Sequence, residues 1–208
     1  YPPDIGGPAT YSKLLFDEFP KLGVDVSILS FGEVRKLPKF LRHFIYIYKL
    51  FIKANGVDII FAQDTVSVGF PSMIVAKILS KRFFIRVPGD YAWEQSVQRY
   101  GVLESIDDFQ NKRYGKKVEI LRKIQKITVN GADIVITPSL YFKNLVSGWL
   151  KDKEKVHCIY NGILLPEFKD NIKFKPNTIF SSGRLVPWKG FNFLIRMMIK
   201  LPEWELYI

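Results

Sequence analysis

The sequence predicts an α/β fold built on a doubly wound parallel sheet, and three observations carry that reading. Helical and strand-like periodicities alternate along most of the chain. The strand-like runs, such as 57–62 and 132–137, are continuously apolar rather than alternating, which signals strands covered by helices on both faces. With 208 residues and 48% apolar content, the chain is long enough to bury one or two cores. Its 25% charged and 15% aromatic residues exclude disordered and fibrous classes.

Taken in order, residues 11–22 are apolar at helical spacing, and 25–30 read as a short strand after the break at Gly23. Helix 39–54, strand 57–62, helix 71–80 and strand 83–87 follow. A long basic helix is expected over 116–130, then strand 132–137, helix 139–149 and strand 156–160. The alternation stops at 162–177, where Pro166, Pro176 and mixed charges without apolar periodicity mark an interdomain linker. A second unit opens with strand 178–182, loop 183–189 and helix 191–201, and a last strand starts at Trp204. The expected division is a first lobe over 1–165, and a linker with the beginning of a second lobe over 166–208. The turn-rich opening at Tyr1 and the strand cut at Ile208 lead us to expect a fragment, its first lobe lacking the first strand and its second lobe incomplete. No internal repeat or low-complexity tract is present.

The lone Cys158 excludes an intramolecular disulfide, and with His43 and His157 as the only imidazoles no zinc centre is expected; the cysteine usage fits a reducing compartment. Thirty-one Lys and Arg against 20 Asp and Glu give a net charge of +11. The excess is three over residues 1–104 and eight over 105–208. Such a field favours an anionic partner: nucleic acid, anionic lipid or a phosphorylated ligand. No stretch reaches the roughly 18–20 apolar residues of a membrane span, and no signal-peptide pattern opens the sequence.

Four segments carry candidate chemistry. The loop Ser181-Ser182-Gly183-Arg184-Leu185-Val186-Pro187-Trp188-Lys189-Gly190 joins a predicted strand to a predicted helix, where free N–H groups and the helix dipole favour an anion. Arg184 and Lys189 either repel that positive end in solvent or bind a phosphate that reverses the sign. The Trp188 before the lysine and the Gly190 after it exclude a Walker A loop. Gly6-Gly7 precede the first helix and serve either a tight turn or close approach of a ligand to the backbone. In Val87-Pro88-Gly89-Asp90-Tyr91-Ala92-Trp93-Glu94, Asp90 and Glu94 are a carboxylate pair for sugar hydroxyls or a proton, or Asp90 is an N-cap. In 35–53, cations and aromatics interleave as in a helix lying on an anionic membrane, or as in an ordinary crossover helix. The basic run 112–126 reads as a solvated helix face, and no motif supports nucleic-acid recognition.

Together and in order, these residues resemble glycosyltransferase family 4, whose members have the two-lobed GT-B fold. The resemblance is carried by Pro2-Pro3-Asp4-Ile5-Gly6-Gly7, Leu22-Gly23-Val24-Asp25-Val26, Ala132-Asp133-Ile134-Val135-Ile136-Thr137-Pro138-Ser139, Ile159-Tyr160-Asn161-Gly162-Ile163 and Gly183-Arg184-Leu185-Val186-Pro187-Trp188-Lys189-Gly190. It implies transfer of a sugar from a nucleotide-diphosphate-sugar donor to an acceptor hydroxyl of a glycan or lipid, with retained configuration. No metal or cofactor is implied; the nucleotide sugar is a substrate. Arg184 and Lys189 are then the cations that meet the leaving diphosphate, and Gly6, Gly7, Asp90, Glu94 and Asn161 are substrate-binding. The histidine that many members carry after the strand before Pro88 is missing, which moves hydroxyl recognition to Asp90 and Glu94. The family's paired glutamates fall beyond Ile208, so the fragment is expected to be inactive by itself. The implied location is cytoplasmic, peripheral on the inner membrane face. The alternative is a non-catalytic module of the same fold that binds sugar nucleotides or polyanions.

Overall fold

The computed structural model describes residues 7–163 and 175–208, the side chains of 39 and 40 excepted. The chain has the expected α/β architecture. Four parallel strands, β1 (Ile59–Ala62), β2 (Arg82–Arg86), β3 (Ile134–Thr137) and β4 (Val156–Cys158), form one sheet in the order β1-β2-β3-β4. The strands therefore follow one another in chain order, and the reversal that would define double winding is not among the described strands. Ile60 faces Phe83, Ile85 faces Val135, and Val135 faces Val156 in the ladder. Ile85 and Val135 are fully buried, which is why these runs are apolar without alternation.

The helices are α1 (Gly7–Glu18), α2 (Lys39–Ala54), α3 (Gly69–Ile78), α4 (Tyr91–Arg99), α5 (Ile106–Asn111), α6 (Lys116–Asn130) and α7 (Leu140–Ser147). α3 packs between α2 and α6 and against β1 and β2. Its Met73, Val75 and Ala76 join Tyr46, Leu50 and Ala54 of α2, Val129 of α6 and Val146 of α7 in one core. Burying an aliphatic side chain of that size contributes about 1.5–3 kcal/mol. A smaller cluster of Ala92, Val102, Phe109 and Val118 lies beneath α4, α5 and α6.

Capping explains the helix starts. Asp90, Ser105 and Ser139 each accept a hydrogen bond from a backbone N–H of the following first turn, at Trp93, Asp108 and Phe142. Asp133 Oδ2 accepts from Phe83 N at 2.7 Å while its own N–H donates to the Phe83 carbonyl, so this carboxylate fixes β3 to β2.

Several expectations need correction. Residues 24–30 form no ladder with a described strand; none of them is fully buried, and only the later part, 28–30, is continuously half-buried. The first helix starts earlier, at Gly7, and its last part, Phe19–Leu22, tightens into a 3₁₀ turn closed by Gly23 at φ 75°. α4 and α5 occupy a region left largely without elements. The 112–126 run is not uniformly solvated: the Arg122 side chain is mostly buried, its guanidinium lies 4.0 Å over the Phe109 ring, and it donates to the carbonyls of Lys112 and Phe109.

Beyond the first sheet, β5 (Thr178–Phe180) pairs in parallel with β6 (Glu205–Tyr207), and α8 (Phe191–Met197) connects them. The expected boundary at 165/166 lies outside the described residues. The two units touch where Trp93 and Trp188 meet, their rings 5.4 Å apart.

Candidate functional site

In a parallel sheet every strand points the same way, so the segments after β1, β2, β3 and β4 share one edge, the edge where ligands of open α/β sheets settle. Asp64 and Thr65 follow β1, residues 87–94 follow β2, and Asn161 follows β4. Arg86 and Asn161, 75 positions apart in the chain, thereby become neighbours.

Asp90 is 1% exposed and each of its oxygens is occupied. Oδ1 accepts from Trp93 N and Gln125 Nε2, each at 3.0 Å, and Oδ2 accepts from Gln110 Nε2 at 2.8 Å. Gln125 Oε1 in turn accepts from Thr65 Oγ1 at 3.1 Å and from Ala92 N at 3.3 Å. Gln110 Oε1 accepts from Trp149 Nε1 at 2.9 Å. The N-cap reading of Asp90 is thus realised within a buried network that fixes the loop carrying Glu94.

Glu94 stands in the first turn of α4 and is half-buried. Its carboxylate folds back over Gly89, where an added Cβ would lie 2.6 Å from Oε1. Burial pushes its carboxyl above the usual range; Arg184 opposes that shift, Asp90 adds to it, and Lys189 opposes it. Glu94 therefore lies within electrostatic reach of Arg184 and Lys189, with no ion pair to either among the described residues, and the adjoining Trp93 and Trp188 are in contact.

Arg184 and Lys189 are exposed on the loop between β5 and α8. The loop is not a bare helix end: Pro187–Lys189 form a 3₁₀ turn, the N–H groups of Lys189 and Gly190 donate to Val186 and Pro187, and Gly190 adopts φ 70°. Those two amides are therefore engaged within the loop.

Gly7 opens α1, and an added Cβ there would meet nothing within 4 Å. Gly6 lies outside the described residues. Asn161 is exposed and belongs to a separate group, since its Oδ1 accepts from Arg86 Nη2 at 2.7 Å and the Arg86 guanidinium lies 4.0 Å over the Tyr11 ring of α1. Arg86, Gln110 and Gln125 were not singled out from the sequence. For Arg86 a signal existed: an arginine inside the apolar run Phe83-Phe84-Ile85-Arg86-Val87 contradicts burial on both faces unless it has a task. A cavity of about 270 Å³ between α5, α6 and Trp149 reaches Asp90 and Gln125, but neither Glu94 nor the loop cations line it. Among the described residues no three His, Cys, Asp or Glu side chains are placed to hold a metal ion, and no helix is long and apolar enough to cross a membrane.

No family model matches the chain, and no curated protein matches it. Among solved structures, one assigned as a UDP-N-acetylglucosamine 2-epimerase from Listeria monocytogenes aligns at 16% identity with a TM-score of 0.35. The alignment covers 69% of this chain and 33% of that one, so the chain spans about a third of that protein's length.

Proposed function

We propose that the chain belongs to a nucleotide-sugar glycosyltransferase of the two-lobed GT-B kind, which moves a sugar to an acceptor hydroxyl with retained configuration. The observation that carries the reading is the approach of Arg184 and Lys189 of the second unit to Glu94 of the first. Two exposed cations within electrostatic reach of a half-buried carboxyl suit a diphosphate on one side and sugar hydroxyls on the other. As the glycosidic bond breaks, charge grows on the leaving diphosphate, and fixed cations stabilise it more in the transition state than in the ground state. Burial raises the Glu94 pKa, a direction that lessens its repulsion of an anionic donor. The transfer calls on no metal or cofactor. Gly7 opens α1 where the acceptor side is expected, and Asn161 contributes through Arg86.

The acceptor, a glycan or lipid-linked sugar, reaches the site from a membrane surface in this reading. Leu41, Phe44, Tyr48, Phe51 and Ile52 form one exposed stripe along α2. The helix cations beside it are engaged: Lys49 pairs with Glu33 at 2.7 Å and Lys53 donates to the Ile28 carbonyl at 2.6 Å.

The test is donor hydrolysis and transfer by the full-length protein, beside Arg184→Ala and Lys189→Ala. Each variant is expected to lose about 10²–10³ in rate, roughly 3 kcal/mol of transition-state stabilisation. Unchanged rates in both would remove the proposal.

A further inference from the structure

A second cation at the carboxyl edge of the sheet has no described carboxylate as its partner. Arg86, the last residue of β2, is 2% exposed. Nη2 donates to Asn161, and the face of the guanidinium stacks on Tyr11. Nε and Nη1, which carry most of the N–H groups of the guanidinium, are buried with no hydrogen-bond partner among the described residues. Among the described residues no ion pair involves Arg86.

A ring face offsets part of the desolvation of the charge but leaves the N–H edges unmet, and unpaired buried donors are rare because each is costly. A purely structural cation at this position would be expected to face a carboxylate or backbone carbonyls, as Arg122 does with Glu119 and the carbonyls of Lys112 and Phe109. Arg86 instead sits where strands end and ligands enter. Its neighbours suit an oxyanion: Asn161 brings an amide with its own N–H groups, and the Tyr11 ring covers one face of the guanidinium while leaving its N–H edges open. A planar guanidinium matches the spacing of two oxygens on a carboxylate or phosphate.

We propose that Arg86 and Asn161 form an oxyanion-binding site in the first unit, taking a phosphate or carboxylate group of the ligand held there. The site is distinct from the Arg184–Lys189 loop and stands on the first unit alone, whether or not that loop binds a donor. It makes the molecule a reader of two anionic groups, one on each unit.

Thermal unfolding of the full-length protein, at constant ionic strength in chloride, inorganic phosphate or acetate, tests this. Phosphate or acetate is expected to raise Tm in proportion to the logarithm of its concentration above half-saturation, because only the folded state has the site. The probe that saturates at the lower concentration names the group. In Arg86→Met the unfolding transition persists in chloride, since an unpaired buried charge has been removed, while the oxyanion-dependent rise is lost. An Arg184→Ala/Lys189→Ala double variant keeps the Arg86-dependent rise even if it abolishes turnover. Absence of any oxyanion-specific rise in the parent overturns the proposal, as does its survival in Arg86→Met. Should Arg86→Met fail to fold, the Arg86 Nε–H resonance in ¹⁵N-arginine-labelled parent protein, assigned with Arg86→Lys, decides. Movement on phosphate or acetate titration supports the site, and invariance overturns it.

Discussion

Glu94 shows how one side chain registers its surroundings. Burial raises its carboxyl pKa in the folded state, and Arg184 and Lys189 only partly offset this. The folded protein then keeps a proton that the unfolded chain has lost, so this group's contribution to stability is full below the ordinary glutamate value near 4.3 and fades as pH rises through the raised one. Glu94→Gln removes that dependence. Its stability relative to the parent, from urea unfolding at several pH values, is expected to grow as pH rises above the ordinary glutamate value; a constant difference would contradict the shift. Asp90, four residues earlier, has a different fate although it is the same kind of acid. Its oxygens are filled by Trp93, Gln125 and Gln110, partners that no local spacing in the sequence announces.

At the scale of elements, turns and clamps decide how the strands present this edge. Gly69 begins α3 where an added Cβ would lie 2.1 Å from the Asp64 carbonyl oxygen. Asp64 Oδ1 meanwhile accepts from Val66 N at 2.8 Å and Val68 N at 3.2 Å, which winds the chain tightly from β1 into the helix. Gly69→Ala forces backbone apart in that turn and is expected to cost about 1–3 kcal/mol. By thermal melting this corresponds to a Tm lower by about 2–12 °C; an unchanged Tm would show that the turn relaxes freely. Arg122 is the clamp of α5 and α6, stacked on Phe109 and bonded to two carbonyls that precede α6. Arg122→Met keeps the apolar stem but strands those carbonyls, for an expected loss of about 2–3 kcal/mol. Faster amide exchange confined to 106–115 would locate the loss; uniform protection would contradict the assigned role.

Across the whole molecule, charge and apolar surface are arranged separately. The net charge of +11 supplies long-range attraction to anionic surfaces, while the α2 stripe supplies short-range burial. The two together predict sedimentation with vesicles of phosphatidylglycerol that falls with salt, weaker sedimentation with phosphatidylcholine, and loss in Phe44→Ser/Tyr48→Ser. Sedimentation independent of anionic lipid, or unaffected by the double substitution, would sever α2 from membrane attachment. The helix that carries Glu94 and the loop that carries Arg184 and Lys189 meet through Trp93 and Trp188, so the placement of one against the other depends on an aromatic contact.

Much of the architecture could be read directly because it depends on local periodicity. The bounds of α2 and α6 match the expected helices, and the apolar runs become paired strands, since a 3.6-residue or continuous apolar pattern buries its face in whichever core forms. Residues 24–30 did not follow, because a strand needs a neighbour and sequence propensity does not supply one. The sequence alone also singled out Arg184, Lys189, Asp90 and Glu94 as candidates. It could not say that Glu94 lies within electrostatic reach of the two cations, that Asp90 is consumed by buried amides, or that Arg86 has donors unmet among the described residues. Those facts arise from side chains separated by up to 95 positions converging at one edge of a parallel sheet, and only the folded chain brings them within reach of one another.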